Sequence, residues 1–267
     1  MPNSAAYSPP GVTIAVLGLG EAGSAFATDL VRAGAQVRGY DPADVATPDG
    51  VVRCASEAEA VEGADLVISV NSAATARGAL EAGMPGVGPE AVWADFNTGS
   101  PGLKASLLAQ ARTQGVVLVD VGIMAPVPGK GMAVPLLVSG EGASRVRELL
   151  VPLGADVTIL PGEAGEAARR KLLRSVFVKS MGTALVEALE AAQAANCKEW
   201  LVENIAAELA EATPSTVDRL VDGTHKHAKR RTDEMDAATQ MLVELGIEPH
   251  MAPASRDVLA RLRDRAN

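Results

Sequence analysis

The chain has 267 residues, enough for one large or two ordinary domains, and 48% of them are hydrophobic. Its formal net charge of −9 argues against nucleic acids and anionic membranes as partners. The cysteines, Cys54 and Cys197, lie far apart, which fits a reducing cytoplasm without disulfides. Because no uninterrupted apolar run approaches bilayer length, we expect a soluble, cytoplasmic protein with no membrane partner.

The stretch 1–10 is polar and Pro-rich, and predicts a flexible tail rather than a signal peptide. From Val12 to about Leu160, short β-branched runs alternate with helical or loop segments, the first helix being Ser24–Arg32. This alternation predicts an α/β Rossmann domain over 11–161, with a mostly parallel, doubly wound sheet. The expected strands are Thr13–Leu17, Gln36–Tyr40, Leu66–Val70, Ala91–Asp95, Val116–Val121, Leu136–Ser139 and Val157–Leu160.

The composition changes after Pro161-Gly162, where residues that favour helices take over. The first such segment, Glu163–Ala195, predicts one long helix. We therefore expect 162–267 to form an all-helical domain. Its further predicted helices are Lys198–Glu211, Thr216–Val221, His225–Leu245 and Ala254–Arg263.

A glycine fingerprint, G-x-G-x-x-G, joins the first strand to the first helix at Gly18, Gly20 and Gly23. With a second strand and an acid about 20 residues on, this order is typical of a nicotinamide or flavin dinucleotide site. Gly18 permits the tight turn, Gly20 leaves room for the pyrophosphate, and Gly23 lets the helix approach the strand. The phosphates would meet the helix N-terminus, so we also assign the intervening Leu19, Glu21 and Ala22 to the cofactor site.

Asp41 follows the second strand and is placed to accept hydrogen bonds from both ribose hydroxyls. Its charge would repel a 2′-phosphate, and no arginine follows it directly, so we expect NAD, with NADP less favoured. The alternative is that Asp41 only forms a turn before Pro42. We also assign Tyr40 and Asn71 to the cofactor site.

The residue inventory limits the chemistry of such a dehydrogenase. A Tyr-x-x-x-Lys pair is absent, because the only tyrosines are Tyr7 and Tyr40. The histidines His225, His227 and His250 all fall in the last fifth of the chain, and no Cys/His set suits zinc, so we expect no metal. Of the common catalytic groups of dehydrogenases, a lysine that acts as general acid and base remains.

Lys171, early in the long helix, is the best candidate for this acid/base. Lys171, Arg174, Ser175 and Lys179 share one helical stripe. Neighbouring cations favour the neutral form of a lysine, which a general base requires. The alternative is a solvated basic face.

From Val12 to Leu262 the chain resembles the β-hydroxyacid dehydrogenase superfamily, which includes 3-hydroxyisobutyrate and 6-phosphogluconate dehydrogenases. It is most similar to small bacterial 6-phosphogluconate dehydrogenase-like proteins of unassigned substrate. The resemblance rests on four segments, the first being the glycine fingerprint. Asp95–Pro101 is similar to the family's D-x-S-T-x-x-P motif, and Asp120–Pro126 stands at the place of its D-A-P-V-S-G-G substrate loop. The Lys171 segment stands at the place of its catalytic G-x-x-x-K-x-x-N stretch.

This resemblance implies specific roles. Lys171 would be the general acid/base, and Thr98, with Asn97 beside it, would contact the nicotinamide ribose region. The substrate carboxylate would be held by the backbone around Gly122, Ile123 and Met124.

Two departures from the family pattern bear on the substrate. Met124-Ala125-Pro126 stands where the family has Ser-Gly-Gly, and Arg174 stands where it has Asn. We assign Arg174 and Ser175 to substrate binding, since a fixed cation suits a second anionic group or a longer acid.

The basic run His225–Arg231 is the densest in this acidic chain. His227 and Arg231 share a face and would bind the distal, anionic part of a substrate. The alternative is a charged helix end that pairs with Asp233, Glu234 and Asp236.

These features and the resemblance predict an NAD-dependent oxidoreductase that acts on a β-hydroxy acid or a related phosphorylated or polar acid. We expect a homodimer, with 162–267 as the domain for substrate binding and dimerisation. An imine reductase of the same architecture is one alternative, although such enzymes usually lack the lysine and prefer NADPH. A non-catalytic dinucleotide-binding protein is the other.

Overall fold

The computed structural model describes residues 11–265. The segment 1–10, expected to be a flexible tail, lies outside the described residues. The chain divides into two compact units, the first ending at Arg174 and the second beginning at Ser175. This division falls within a long helix, later than the boundary we expected at Pro161-Gly162.

The first unit is built on a mixed sheet of strands β1 to β8 in the order β3-β2-β1-β4-β5-β6-β7-β8. Neighbouring strands run parallel except β6 and β7, which are antiparallel. The mostly parallel sheet predicted from the sequence is thus confirmed. The strands are β1 Thr13–Leu17, β2 Gln36–Tyr40, β3 Val51–Arg53, β4 Leu66–Ser69, β5 Val92–Asp95, β6 Val117–Ile123, β7 Pro135–Ser139 and β8 Asp156–Ile159.

Two apolar clusters cover the two faces of this sheet. Ile14 and Val16 belong to one cluster, whereas Ala15 and Leu17 belong to the other, as the two-residue period of a strand requires. Because the central strands are buried on both faces, they are continuously hydrophobic rather than alternating.

Helices pack on both faces of the sheet. The fourth of them begins with Pro101 after Ser100, whose side chain accepts a hydrogen bond from the N–H of Leu103. This N-cap fixes where the chain turns after β5. The helices are α1 Glu21–Arg32, α2 Glu57–Val61, α3 Ala76–Gly83, α4 Pro101–Arg112, α5 Ala143–Leu150 and the first part of α6 Glu166–Ala194.

The second unit contains the rest of α6 and four further helices, so its all-helical prediction is confirmed. These are α7 Lys198–Ala210, α8 Pro214–Lys226, α9 Ala228–Glu244 and α10 Met251–Arg265. The boundary predicted between α8 and α9 was wrong: the sequence started a helix at His225, but His225 belongs to the last turn of α8 and the helix break falls at His227. No helix within 11–265 has the length and apolarity to cross a membrane.

Candidate functional site

The predicted cofactor residues of the first unit meet at one edge of the sheet. In open α/β sheets, ligands bind beyond the carboxyl ends of the parallel strands. A cavity of about 520 Å³ opens at this edge. Its lining includes Gly18, Gly20, Tyr40, Asp41 and Asn71.

The three fingerprint glycines each meet a different physical demand. Gly18 has φ +102°, and a Cβ there would lie 2.6 Å from the carbonyl oxygen of Val70. A Cβ on Gly23 would collide with the carbonyl oxygen of Gly18, whereas one on Gly20 would meet nothing within 4 Å. The backbone packing therefore requires glycine at Gly18 and Gly23. At Gly20 the missing side chain leaves open space beside the cavity.

The N-terminus of α1 borders this open space. Because the N-cap is Gly20, no N-cap side chain covers the first N–H groups of the helix, at Glu21 and Ala22. Leu19, also assigned to the cofactor site, is buried and does not line the cavity. Uncovered N–H groups and the positive end of the helix dipole suit a pyrophosphate, so the residues present fit a dinucleotide.

Asp41 has both carboxylate oxygens directed at the backbone. Oδ2 accepts a 2.7 Å hydrogen bond from the N–H of Leu19, and Oδ1 accepts one of 2.9 Å from Ala43. A carboxylate has about four acceptor positions, so two remain for ribose hydroxyls. Arg53 also holds this loop, because its Nη2 donates to the carbonyl oxygens of Asp41 and Ala43 at 2.6 and 3.1 Å. Arg53 lies on the three-residue β3, which no sequence pattern revealed.

Lys171 and Thr98, which are 73 residues apart in sequence, meet in the structure. The half-buried Lys171 lies on α6, and its Nζ donates a 2.8 Å hydrogen bond to the Oγ1 of Thr98, in the loop after β5. Arg174 is exposed at the end of the first unit, and Ser175 is the half-buried first residue of the second. An amine and a hydroxyl within hydrogen-bonding distance provide a route for proton transfer to a substrate oxygen.

A buried charged cluster lies beneath this pair and was not found from the sequence. Lys104, Asp95 and Asp120 are almost wholly buried, and the Nζ of Lys104 lies 2.8 and 2.9 Å from the two carboxylates. Asn97 is buried beside them and donates through its amide nitrogen to Asp95 and, at 3.2 Å, to Ser69. The lysine shares a helix face with apolar residues, and this placement is the sequence signal that could have revealed it.

The predicted substrate loop is partly a strand. Gly122 and Ile123 belong to β6, and the N–H of Met124 donates to the carbonyl oxygen of Pro135 at 2.9 Å. Because N–H groups alternate along a strand, the N–H of Ile123 faces the opposite edge, where β5 has already ended. A Cβ on Gly122 would lie 3.2 Å from the carbonyl oxygen of Ala167, so this glycine allows α6 to approach β6.

The basic run lies in the second unit. His227 is half-buried at the break between α8 and α9, and Arg231 donates through Nη1 to the Oγ1 of Thr224 at 2.8 Å. Arg230 and Glu234 form an exposed ion pair of 2.7 Å. Such a pair is what we expect if the basic run is a charged helix end rather than a substrate site. Over the part of the chain that is described, no group of three or more His, Cys, Asp or Glu residues could hold a metal ion.

Comparison with known families assigns most of the chain. Residues 13–162 match the NAD binding domain of 6-phosphogluconate dehydrogenase, and residues 192–262 match a domain of unknown function, DUF1932. The first match covers more than half of the chain and includes every strand of the sheet. It confirms the NAD-binding domain that the glycine fingerprint predicts.

Individual relatives are distant. The chain is 30% identical over 189 residues to a probable 3-hydroxyisobutyrate dehydrogenase of Mycobacterium bovis, covering 68% of this chain and 64% of that protein. It thus spans less than two thirds of that relative's length. It is 28% identical over 198 residues to the NAD-dependent L-serine dehydrogenase of Pseudomonas aeruginosa, covering 69% and 66%. The solved reductive aminase of Aspergillus terreus shares the fold, with a TM-score of 0.79 at 18% identity over 96% of this chain and 94% of the other.

Proposed function

Because the chain belongs to the β-hydroxyacid dehydrogenase superfamily, we propose that it is an NAD-dependent oxidoreductase that acts on the CH–OH group of a small β-hydroxy acid. The observation that carries the proposal is the hydrogen bond from Lys171 Nζ to Thr98 Oγ1. This bond supports the proposal because it joins the amine to the loop after β5, and ligands of open α/β sheets bind beyond the carboxyl ends of the strands.

In the proposed reaction, Lys171 is the general acid/base. When bound, NAD supplies the acceptor for the hydride that leaves the substrate carbon. The neutral amine of Lys171 takes the proton of the substrate hydroxyl, so that the O–H electron pair forms the carbonyl. In the reverse direction the ammonium returns that proton. Thr98 Oγ1 accepts a hydrogen bond from the amine and so holds the nitrogen beside the loop that follows β5.

The cofactor would be held along the edge of the sheet. The glycine loop and the first turn of α1 would bind the pyrophosphate, and Asp41 would accept hydrogen bonds from the ribose, which favours NAD over NADP. Tyr40 and Asn71 line the same cavity. Asn97 and Thr98, further along the edge, would lie at the nicotinamide end.

The substrate carboxylate would meet the backbone of β6. Of the segment from Gly122 to Met124, the N–H of Ile123 is best placed, because that of Met124 is already bonded to Pro135. Arg174 and Ser175 would contact the rest of the acid, and a fixed guanidinium favours a longer or doubly anionic substrate.

The direct test combines binding and turnover. Purified protein is screened by thermal shift with NAD and with NADP against 3-hydroxyisobutyrate, L-serine and phosphorylated hydroxy acids. A ligand at a hundredfold excess over its Kd adds about 2.7 kcal/mol of stability, which is readily detected. We expect formation of NADH with at least one acid. Turnover only of cyclic imines with NADPH would support an imine reductase instead, and NADH binding without any hydride transfer would support a non-catalytic protein.

We also propose a homodimer formed through the helical unit. Helix α7 has no buried residue, and Trp200 on it is 63% exposed. The unit's buried apolar cluster consists of Ala191, Leu242 and Ala252, a small core for five helices. A second copy would cover the apolar side chains left outside. Analytical ultracentrifugation should give twice the chain mass of 27.3 kDa, and Trp200→Glu should yield a monomer. A wild-type monomer at micromolar concentration would contradict this proposal.

A further inference from the structure

Lys104 is a lysine buried inside the first unit. Its side chain is 1% exposed, and it shares one face of α4 with the buried Leu107, Leu108 and Ala111. Lysines are almost never fully buried unless their charge is paired, because desolvating an ammonium is costly. A lysine in this position therefore needs an explanation beyond packing.

The ammonium of Lys104 bridges two neighbouring strands. Its Nζ lies 2.9 Å from the carbonyl oxygen of Asp95, 2.8 Å from Asp95 Oδ2 and 2.9 Å from Asp120 Oδ1. The two contacts with Asp95 are hydrogen bonds, whereas the contact with Asp120 Oδ1 is a buried ion pair without hydrogen-bond geometry. Asp95 ends β5 and is the register partner of Asp120 on β6, so Lys104 ties the two strands together where the site begins.

On the β5 side, the bridge leads to Thr98. Asp95 Oδ1 accepts a 3.3 Å hydrogen bond from the N–H of Asn97 and a second one from its side-chain amide. The carboxylate thus fixes the turn that the chain makes directly after the strand. Thr98 is the next residue of that turn.

On the β6 side, the bridge leads to Lys171. Asp120 Oδ2 accepts hydrogen bonds from the N–H groups of Gly165 and Ala168, at 3.0 and 2.8 Å. The Oγ of Ser139 accepts another, of 3.1 Å, from Ala167. These acceptors satisfy the free N–H groups at the start of α6 and fix its first turn against the sheet. Lys171 follows Ala168 by three residues, less than one turn of the helix.

We propose that Lys104 is a positioning residue, whose bridge between Asp95 and Asp120 sets the approach of Lys171 to Thr98. Removing its charge leaves two carboxylates close together in a site of low dielectric, where like charges repel strongly. The end of β5 and the start of α6 would then separate. This inference rests on the role proposed for Lys171, but its structural half can be measured without any turnover.

Two variants separate positioning from mere stability. Lys104→Met removes the bridge and leaves both carboxylates unpaired. The double variant Lys104→Met with Asp120→Asn removes one charge of each sign. The amide oxygen of the new asparagine can still accept a hydrogen bond from the N–H groups of α6, but the link between the two strands stays broken. Lys130→Met is the matched control, because Lys130 is an exposed lysine of the same unit.

Three measurements are made on each full-length protein. Hydrogen–deuterium exchange of peptides covering 163–171 and 96–99 reports the two anchored segments, and a peptide covering 20–32 reports α1. NADH fluorescence gives cofactor affinity. Single-turnover hydride transfer to NAD is followed with 3-hydroxyisobutyrate and L-serine as probes.

For Lys104→Met we expect exchange at 165–168 and 97–98 to rise about tenfold or more, with α1 unchanged. The rate of hydride transfer should fall about 100-fold, because a displacement of a catalytic group by about 1 Å lowers the rate by that much. The affinity for NADH should stay unchanged. The double variant should regain the wild-type melting temperature but not the hydride-transfer rate. If Lys104→Met does not fold, the double variant decides the matter.

The proposal is overturned if a folded bridge-less variant shows wild-type exchange in both anchored segments. It is also overturned if the double variant regains hydride transfer along with its melting temperature. If the wild-type protein oxidises neither probe nor any other hydroxy acid, the proposed function fails, and the exchange data still decide whether Lys104 anchors the two segments.

Discussion

The hydrogen bond between Lys171 Nζ and Thr98 Oγ1, 2.8 Å long, connects α6 to the loop that follows β5. Both partners lie in the first unit, so the amine is held by the same fold that carries the NAD-binding loop. An amine fixed to this edge of the sheet can take a proton only from a substrate that reaches the same edge. This geometry makes the role of Lys171 directly testable.

Replacing Lys171 by alanine should lower kcat by about 10²- to 10⁴-fold, because general acid–base catalysis contributes that much. NADH affinity should stay unchanged, since the glycine loop and Asp41 lie elsewhere along the edge. Steady-state kinetics and NADH fluorescence measure the two effects. Arg170→Ala is the control, as it removes an exposed cation of the same helical turn. Full turnover by Lys171→Ala would disprove the assigned mechanism.

Replacing Asp41 by asparagine should lower the preference for NAD over NADP about tenfold, the equivalent of one charged hydrogen bond. The amide keeps the size of the carboxylate but loses the charge that would repel a 2′-phosphate. The measurement is the ratio of kcat/KM for the two cofactors, and Asp44→Asn, an exposed carboxylate of the same loop, is the control. An unchanged ratio in Asp41→Asn would mean that another group selects the cofactor.

The central strands could be predicted from the sequence because period and composition specify them. The bounds predicted for β1 and β2 agree with the structure to the residue. In contrast, β3 is three residues long and partly exposed, so its sequence shows neither the alternation nor the apolar run of a strand. The break at His227 was also missed, since a basic run has no helix-ending residue.

The site was predictable where a motif fixes a backbone, and not where it depends on distant contacts. The glycine loop and Asp41 form one local unit, so their proximity followed from sequence spacing. The apolar helix face around Lys104 was a sequence signal for its burial, but nothing in the sequence indicates that two carboxylates from neighbouring strands meet it. The contacts of Arg53 could not be predicted either, because its partners are backbone carbonyl groups, which no side-chain pattern marks.

Alanine at two positions of the glycine loop should have opposite consequences. Gly20→Ala places a methyl group in open space with an ordinary φ of −67°, so the melting temperature should be unchanged while NADH affinity falls about tenfold or more. Gly23→Ala drives a methyl group into the carbonyl oxygen of Gly18 and should cost about 1–3 kcal/mol of stability. Thermal unfolding and NADH fluorescence separate the two effects. Normal NADH affinity in Gly20→Ala would place the pyrophosphate elsewhere.

Glu187 should make the second unit sensitive to acid. Burial by itself would raise its pKa, but the N–H groups of Met251, His250 and Ala252 outweigh this and hold the pKa below the ordinary value of 4.5. Because the folded-state pKa is the lower one, the stabilisation is complete above pH 4.5 and is lost as the pH falls through the folded-state value. Glu187→Gln should cost about 1–3 kcal/mol at pH 7 and flatten the loss of stability below pH 4.5. Urea unfolding at pH 7, 5 and 3.5 measures this, with the exposed Glu190→Gln as control. If both variants lose stability with acid as steeply as the wild type, the three N–H donors do not bind the charged form of Glu187 selectively.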